Sequence, residues 1–103
     1  MNSLAKPARI RSKALTDSAR GRDCTLRWLC NSHSPKDVVF CHVRIHSGIG
    51  TKPPDLFGFY GCGRCHADQE RGDVPSFEIM RAIMETQSHM ARDGLIIIKG
   101  WKP

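Results

Sequence analysis

The sequence predicts a small α+β domain stapled by a metal ion, and three observations carry that expectation. Val38 to Ile45 alternates apolar and polar side chains, the pattern of a half-buried strand. Residues 75–93 repeat apolar side chains at helical spacing. Four of the five cysteines fall into two local pairs, Cys24 with Cys30 and Cys62 with Cys65, in a chain of 103 residues. A domain of that size buries only a modest share of its unfolded surface, so support from a metal or from disulfides suits its length.

The amino-terminal segment is basic. Lys6, Arg9, Arg11, Lys13, Arg20 and Arg22 stand against one acid, Asp17, and supply most of the formal +6 charge. With Pro7, several serines and little to pack, residues 1–20 read as a flexible arm ahead of a single domain over 21–103. Such an arm can lie along nucleic-acid phosphates and gain affinity by releasing counterions. Arg9, Arg11, Lys13, Arg20 and Arg22, with Lys52 farther on, are therefore the candidate contacts to DNA. A disordered solubilising tail and an organellar transit peptide share this composition. The first twenty residues contain nothing like the apolar core of a signal peptide, and no apolar run approaches the ~20 residues that span a bilayer. The expected setting is the cytoplasm, where thiols stay reduced and spaced cysteines suggest a metal site before disulfides.

In the first strand Val39, Cys41, Val43 and Ile45 share one face, while Phe40, His42 and Arg44 share the other. Ser47-Gly48-Ile49-Gly50 supplies turn residues, and Lys52-Pro53-Pro54-Asp55 is extended because its prolines cannot continue a helix. Leu56 to Tyr60 reads as a second short strand. A brief helix is expected from His66 to Arg71, stopped by Gly72. A longer one follows over about 75–93, with Phe77, Met80, Ile83, Met84 and Met90 as its core face and Gly94 just past its end. Leu95 to Lys99 reads as a last strand.

Cys62-Gly63-Arg64-Cys65-His66 is a C-x-x-C-H, a pattern shared by c-type haem attachment and by zinc knuckles. Haem attachment follows export, and it leaves Cys24 and Cys30 without a role. A structural zinc site takes four thiolates in a tetrahedron, which the two pairs together provide. Five residues separate Cys24 from Cys30, two separate Cys62 from Cys65, and 31 lie between the pairs. Unrelated buried thiols are the plain alternative. Cys41, on the apolar face of the first strand, reads as a core residue.

With the thiolates holding zinc, His42 and His66 are left for other chemistry. A strand-turn-strand-helix unit can bring both imidazoles to one cleft, an arrangement suited to phosphodiester hydrolysis. His42 would act on the attacking water, and a second divalent ion such as Mg, Mn or Ni, held by His66, would polarise the phosphate. Glu70, four residues after His66, falls on the same helical face as a second ligand should. Arg44, on the His42 face, can clamp a phosphate oxygen.

Gly21-Arg22-Asp23-Cys24, Cys30-Asn31, His42-Val43-Arg44, Gly50-Thr51-Lys52-Pro53-Pro54-Asp55 and Cys62-x-x-Cys65-His66 occur in this order over about residues 8–100. In this the chain resembles the YbcO-like nucleases of prophages, a family similar in turn to the HNH endonucleases with their ββα-metal fold. The resemblance implies an HNH-like ββα-metal domain with an additional carboxy-terminal helix and short strand. It implies His42 as the general base, His66 as a ligand of a catalytic metal, and Cys24, Cys30, Cys62 and Cys65 as ligands of a structural zinc. Asp55 lies near the middle polar position of the HNH pattern and joins Glu70 as a possible ligand. Cys41 departs from the pattern, since many HNH enzymes carry a metal-binding aspartate or histidine immediately before the base. The resemblance thus implies a metal-dependent endonuclease acting on DNA in phage replication or recombination within the bacterial host cytoplasm. The competing reading is a zinc-stabilised nucleic-acid-binding or adaptor module that does not cut.

Overall fold

The computed structural model describes residues 9–28, 30, 37–43 and 53–103. Arg44, Lys52 and the turn at 47–50 lie outside the described residues. Five elements follow in order: α1 (Lys13–Asp17), β1 (Val39–His42), β2 (Gly58–Gly61), α2 (Gly63–Glu70) and α3 (Ser76–Arg92).

β1 and β2 pair antiparallel, with Val39 opposite Gly61, Phe40 opposite Tyr60, Cys41 opposite Phe59 and His42 opposite Gly58. The Val43 N–H donates to the Phe57 carbonyl at 3.1 Å and carries the pairing one step further. Both ends of β2 need glycine for space. A Cβ on Gly58 would collide with the Phe40 ring and sit 2.8 Å from the Cys41 carbonyl oxygen, while one on Gly61 would sit 2.8 Å from Cys41 Sγ. Gly58 therefore lets Phe40 lean across the hairpin, where its ring meets His42 edge-on at 5.1 Å between centroids.

A two-stranded hairpin is marginal alone, so its stability rests on what covers it. Phe59 and Tyr60 of β2 are fully buried with Leu26 and Met90, and α3 packs along β2. Thr25 extends the pairing on the outer side of β2. Its N–H donates to the Tyr60 carbonyl at 2.7 Å, and its hydroxyl accepts the Tyr60 N–H at 3.0 Å. The Thr25 hydroxyl also meets that of Thr86 on α3 at 2.8 Å, so these buried polar groups are all partnered.

The helix ends follow from local chemistry. α2 begins at Gly63 rather than His66, because Cys62 is its N-cap and the sulfur accepts the Cys65 N–H at 3.4 Å. At its other end Gly72 takes a φ of +79°, and the N–H groups of Gly72 and Asp73 return to the carbonyls of Gln69 and Asp68. α3 ends the same way: Gly94 has a φ of +80° and donates to the Ala91 carbonyl, and Leu95 donates to that of Met90. This closure removes the strand expected at 95–99. The N–H groups of both Leu95 and Ile96 are spent on the Met90 carbonyl, and among the described residues the sheet has two strands.

Two further expectations change. Residues 9–20 do not read as a free arm, since Ser12 caps α1 and Leu15 and Ala19 are buried in the core. The core face of α3 consists of Ala82, Thr86, Met90 and Ala91 with Ile79 and Ile83 against it. Phe77, Met80 and Met84 point outward, 74%, 61% and 66% exposed. The Thr25 hydroxyl meets Thr86 on the inward face of this helix, which packs along β2.

Candidate metal centre and active site

Cys24, Cys30, Cys62 and Cys65 converge, and their four sulfurs lie within 4.8 Å of one another. Cys24 and Cys30 Sγ are 3.9 Å apart, far beyond the ~2.05 Å of a disulfide and close to the ~3.8 Å edge of a tetrahedron built on ~2.3 Å zinc–sulfur bonds. All five cysteines are free thiols. Two turns shape the cage in the same way. The Arg27 N–H donates to Cys24 Sγ at 3.3 Å, three residues on, just as the Cys65 N–H donates to Cys62 Sγ. Arg27 reaches its position with a φ of +50°. The Trp28 N–H adds a bond to Cys65 Sγ at 3.3 Å. Backbone donors aimed at sulfur favour thiolate, as does the amino terminus of α2 beneath Cys62.

Ionisation differs between Cys24 and the pair Cys30 and Cys65. Burial opposes the Cys24 thiolate, but the N–H groups of Arg27 and Cys62 and the neighbouring thiols outweigh it and hold this thiol below its ordinary value. Burial pushes Cys30 up to about 11 and also raises Cys65, and the Cys24 charge adds to both shifts. The thiolate is favoured at Cys24 and opposed at Cys30 and Cys65, and a divalent cation would offset that opposition. The donor set, spacing and charge together fit a metal ion such as zinc. Convergence of the first pair on the second also supplies the role that haem attachment left open for Cys24 and Cys30. Cys41 stays outside the cage, 1% exposed on the core face of β1, and burial pushes its thiol up to about 12.

His42 ends β1, and its Nε2 lies 2.8 Å from Asp55 Oδ1. A carboxylate only accepts, so Nε2 carries the proton and Nδ1 is left as the acceptor of the ring. Asp55 is 4% exposed, and its Oδ2 accepts the Ser12 N–H at 2.7 Å. Burial alone would raise its pKa, but the bonds from His42 and Ser12 and the nearby Arg11 charge outweigh this and lower it. Arg11 lies 3.9 Å from the carboxylate and donates to the Pro53 carbonyl at 2.8 Å, while the Asp55 N–H donates to the Ile10 carbonyl at 2.8 Å. The segment 10–12 is thereby laced to 53–55. On the opposite side, Gln69 Nε2 of α2 donates to the His42 carbonyl at 3.2 Å. Its buried Oε1 has no partner.

His66 and Glu70 lie one turn apart on α2, both exposed. Among the described residues the four cysteines are the one group of three or more ligating side chains near enough to share an ion. His66, Glu70 and Asp55 do not assemble a second. Of the basic residues, Lys13 pairs with Asp17 at 2.6 Å, and Arg20 lies 4.0 Å from the same carboxylate. Arg22 pairs with Asp93 and stands over the Tyr60 ring, and Arg9 is exposed. Ser12, Gln69 and Thr25 escaped the sequence reading, because their bonds run to residues 43, 27 and 35 positions away. No helix is long and apolar enough to cross a membrane among the described residues.

The family model described as "Putative nuclease YbcO" matches residues 13–96. The protein of that name from Escherichia coli (strain K12) is 41% identical over 61 residues, 55% of this chain and 62% of that relative. Its namesake from Enterobacteria phage 82 matches to the same extent, so the match spans 62% of the length of these curated relatives. A solved structure described as a putative bacteriophage protein from Escherichia coli str. K-12 substr. MG1655 superposes with a TM-score of 0.61 at 30% identity, covering 77% of this chain and 98% of that one. With a family match running from α1 past the end of α3, the chain belongs to the family described as putative nuclease YbcO.

Proposed function

We propose that the protein is a metal-dependent endonuclease that hydrolyses DNA phosphodiester bonds through an HNH-like ββα centre, in phage replication or recombination. The observation that carries this reading is the 2.8 Å bond between His42 Nε2 and Asp55 Oδ1. It orients the imidazole with Nδ1 as a base, and the negative charge steadies the imidazolium that forms. Water gives a proton to Nδ1, its oxygen attacks phosphorus, and the bond to the leaving ester oxygen breaks. Asp55 is thus a positioning residue, since both its oxygens already accept hydrogen bonds. A divalent ion such as Mg, Mn or Ni, when bound, supplies positive charge that polarises the phosphate and steadies the leaving oxygen. His66 and Glu70 would hold it, with phosphate oxygens and water as its remaining ligands. Arg44 takes the phosphate clamp on sequence grounds.

The four cysteines hold a structural zinc in this reading, which ties the 24–30 segment to the start of α2 and so sets the helix against the hairpin. The names of the relatives and the phage origin of one of them support a nuclease in a phage setting. Basic residues along 9–22 supply contacts to the DNA backbone. Incubating supercoiled plasmid with purified protein and Mg²⁺, Mn²⁺ or Ni²⁺ tests the proposal, with open-circular product expected. Intact DNA under every ion, with binding retained, would instead identify a zinc-stabilised nucleic-acid-binding module.

A further inference from the structure

The register of the hairpin turns the backbone of His42 away from β2. Val43 donates to Phe57 across the ladder, so Val39, Cys41 and Val43 occupy the hydrogen-bonded positions of the pairing. Phe40 and His42 fall on the alternate positions, whose N–H and C=O groups face outward. On the β2 side the outward groups of Tyr60 are met by Thr25. On the β1 side no third strand adjoins among the described residues. There the outward carbonyl of His42 is met by a side chain, Gln69 Nε2 of α2, at 3.2 Å.

The amide is a costly group in that place. Gln69 is 3% exposed, and its Oε1 has no donor. A buried acceptor left unpartnered costs more than a single hydrogen bond contributes. Turning the amide over offers no relief, because it would set Oε1 against the His42 carbonyl, acceptor against acceptor. An unbranched apolar side chain of the same length would fill the space without the stranded oxygen. Stability therefore does not account for glutamine here, and a polar group kept against stability points to a functional demand.

Gln69 stands three residues after His66 and one before Glu70 on α2. We infer that it is a positioning residue, which ties the backbone of His42 to the helix carrying those two side chains and so sets the distance from the base to the ion they would hold. The inference rests on the nuclease reading above. Asp55 governs how the imidazole is turned, whereas Gln69 governs where it stands relative to α2. Both matter to rate, since a displacement of ~1 Å between reacting groups can cost about 10²-fold.

Melting and steady-state cleavage of the full, metal-loaded chain carrying Gln69→Met test the inference. Methionine is unbranched and adapts to the space, so the melting temperature should hold or rise and metal content should stay at the wild-type value. For plasmid cleavage kcat should fall about 10–100-fold, with KM unchanged because the contacts to DNA are untouched. Gln69→Asn keeps an amide but withdraws it from the carbonyl by one methylene, so it should lose kcat to the same extent while melting lower. Wild-type kcat in either variant, a rise in KM in place of the fall in kcat, or a Gln69→Met melting temperature more than about 5 °C below wild type would each overturn the inference alone. A wild type that cuts under no divalent ion would overturn the nuclease reading and this inference with it.

Discussion

Ser12 gives its backbone N–H to the Asp55 carboxylate at 2.7 Å, across 43 residues of sequence. The bond makes the basic amino-terminal segment part of the candidate site. Ser12 fixes one oxygen of Asp55, the other fixes His42, and Gln69 fixes the backbone of His42 from the far side. Strand, helix and amino-terminal segment therefore meet around His42, the helix through its carbonyl and the amino-terminal segment through Asp55.

Acid should weaken this assembly in a defined direction. The folded carboxyl of Asp55 titrates below its ordinary value, so its stabilisation is complete above the ordinary carboxylate range. That contribution fades as pH falls through the lower, folded value. Denaturant melts between pH 7 and pH 3 should show wild type losing stability toward the acid end more steeply than Asp55→Asn. Parallel curves would contradict the assigned bonds.

Removing the metal should unfold the protein rather than loosen it. Structural zinc contributes roughly 10–16 kcal/mol in small zinc domains, comparable with or above the ~5–15 kcal/mol net stability of an ordinary domain. One zinc per chain is expected by mass spectrometry, and chelation or Cys65→Ser should abolish the helical circular dichroism signal. Cys41→Ala should keep the zinc, since its sulfur lies outside the cage, and should cost about 1–2 kcal/mol in packing.

Gly58→Ala should be costly despite its small size. The new methyl group would meet the Phe40 ring and the Cys41 carbonyl, and Phe40 also supports the edge of His42. Overpacking of this kind costs about 1–3 kcal/mol, readable in a thermal melt, and cleavage should fall with it as His42 shifts.

Much of this arrangement was legible in the sequence. Alternation located the hairpin, Gly72 and Gly94 marked the helix ends, and the spacing of cysteines drew attention to the four ligands that converge. What stayed hidden was tertiary. Periodicity shows that α3 has apolar residues one turn apart, but not which face turns inward; the buried face carries Ala82, Thr86 and Met90, where Thr86 meets the distant Thr25 hydroxyl. Leu95 to Ile98 has strand-like composition, yet the turn closing α3 takes the amides of Leu95 and Ile96 first. Nothing local to Asp55 reveals its bonds to Ser12 and His42.

Single-turnover cleavage of plasmid DNA by wild type and His42→Ala, at matched zinc content and matched DNA binding, tests the central claim most directly. Loss of a positioned general base should slow cutting by about 10²–10⁴-fold with both other properties unchanged. Cleavage by His42→Ala at the wild-type rate would contradict the account.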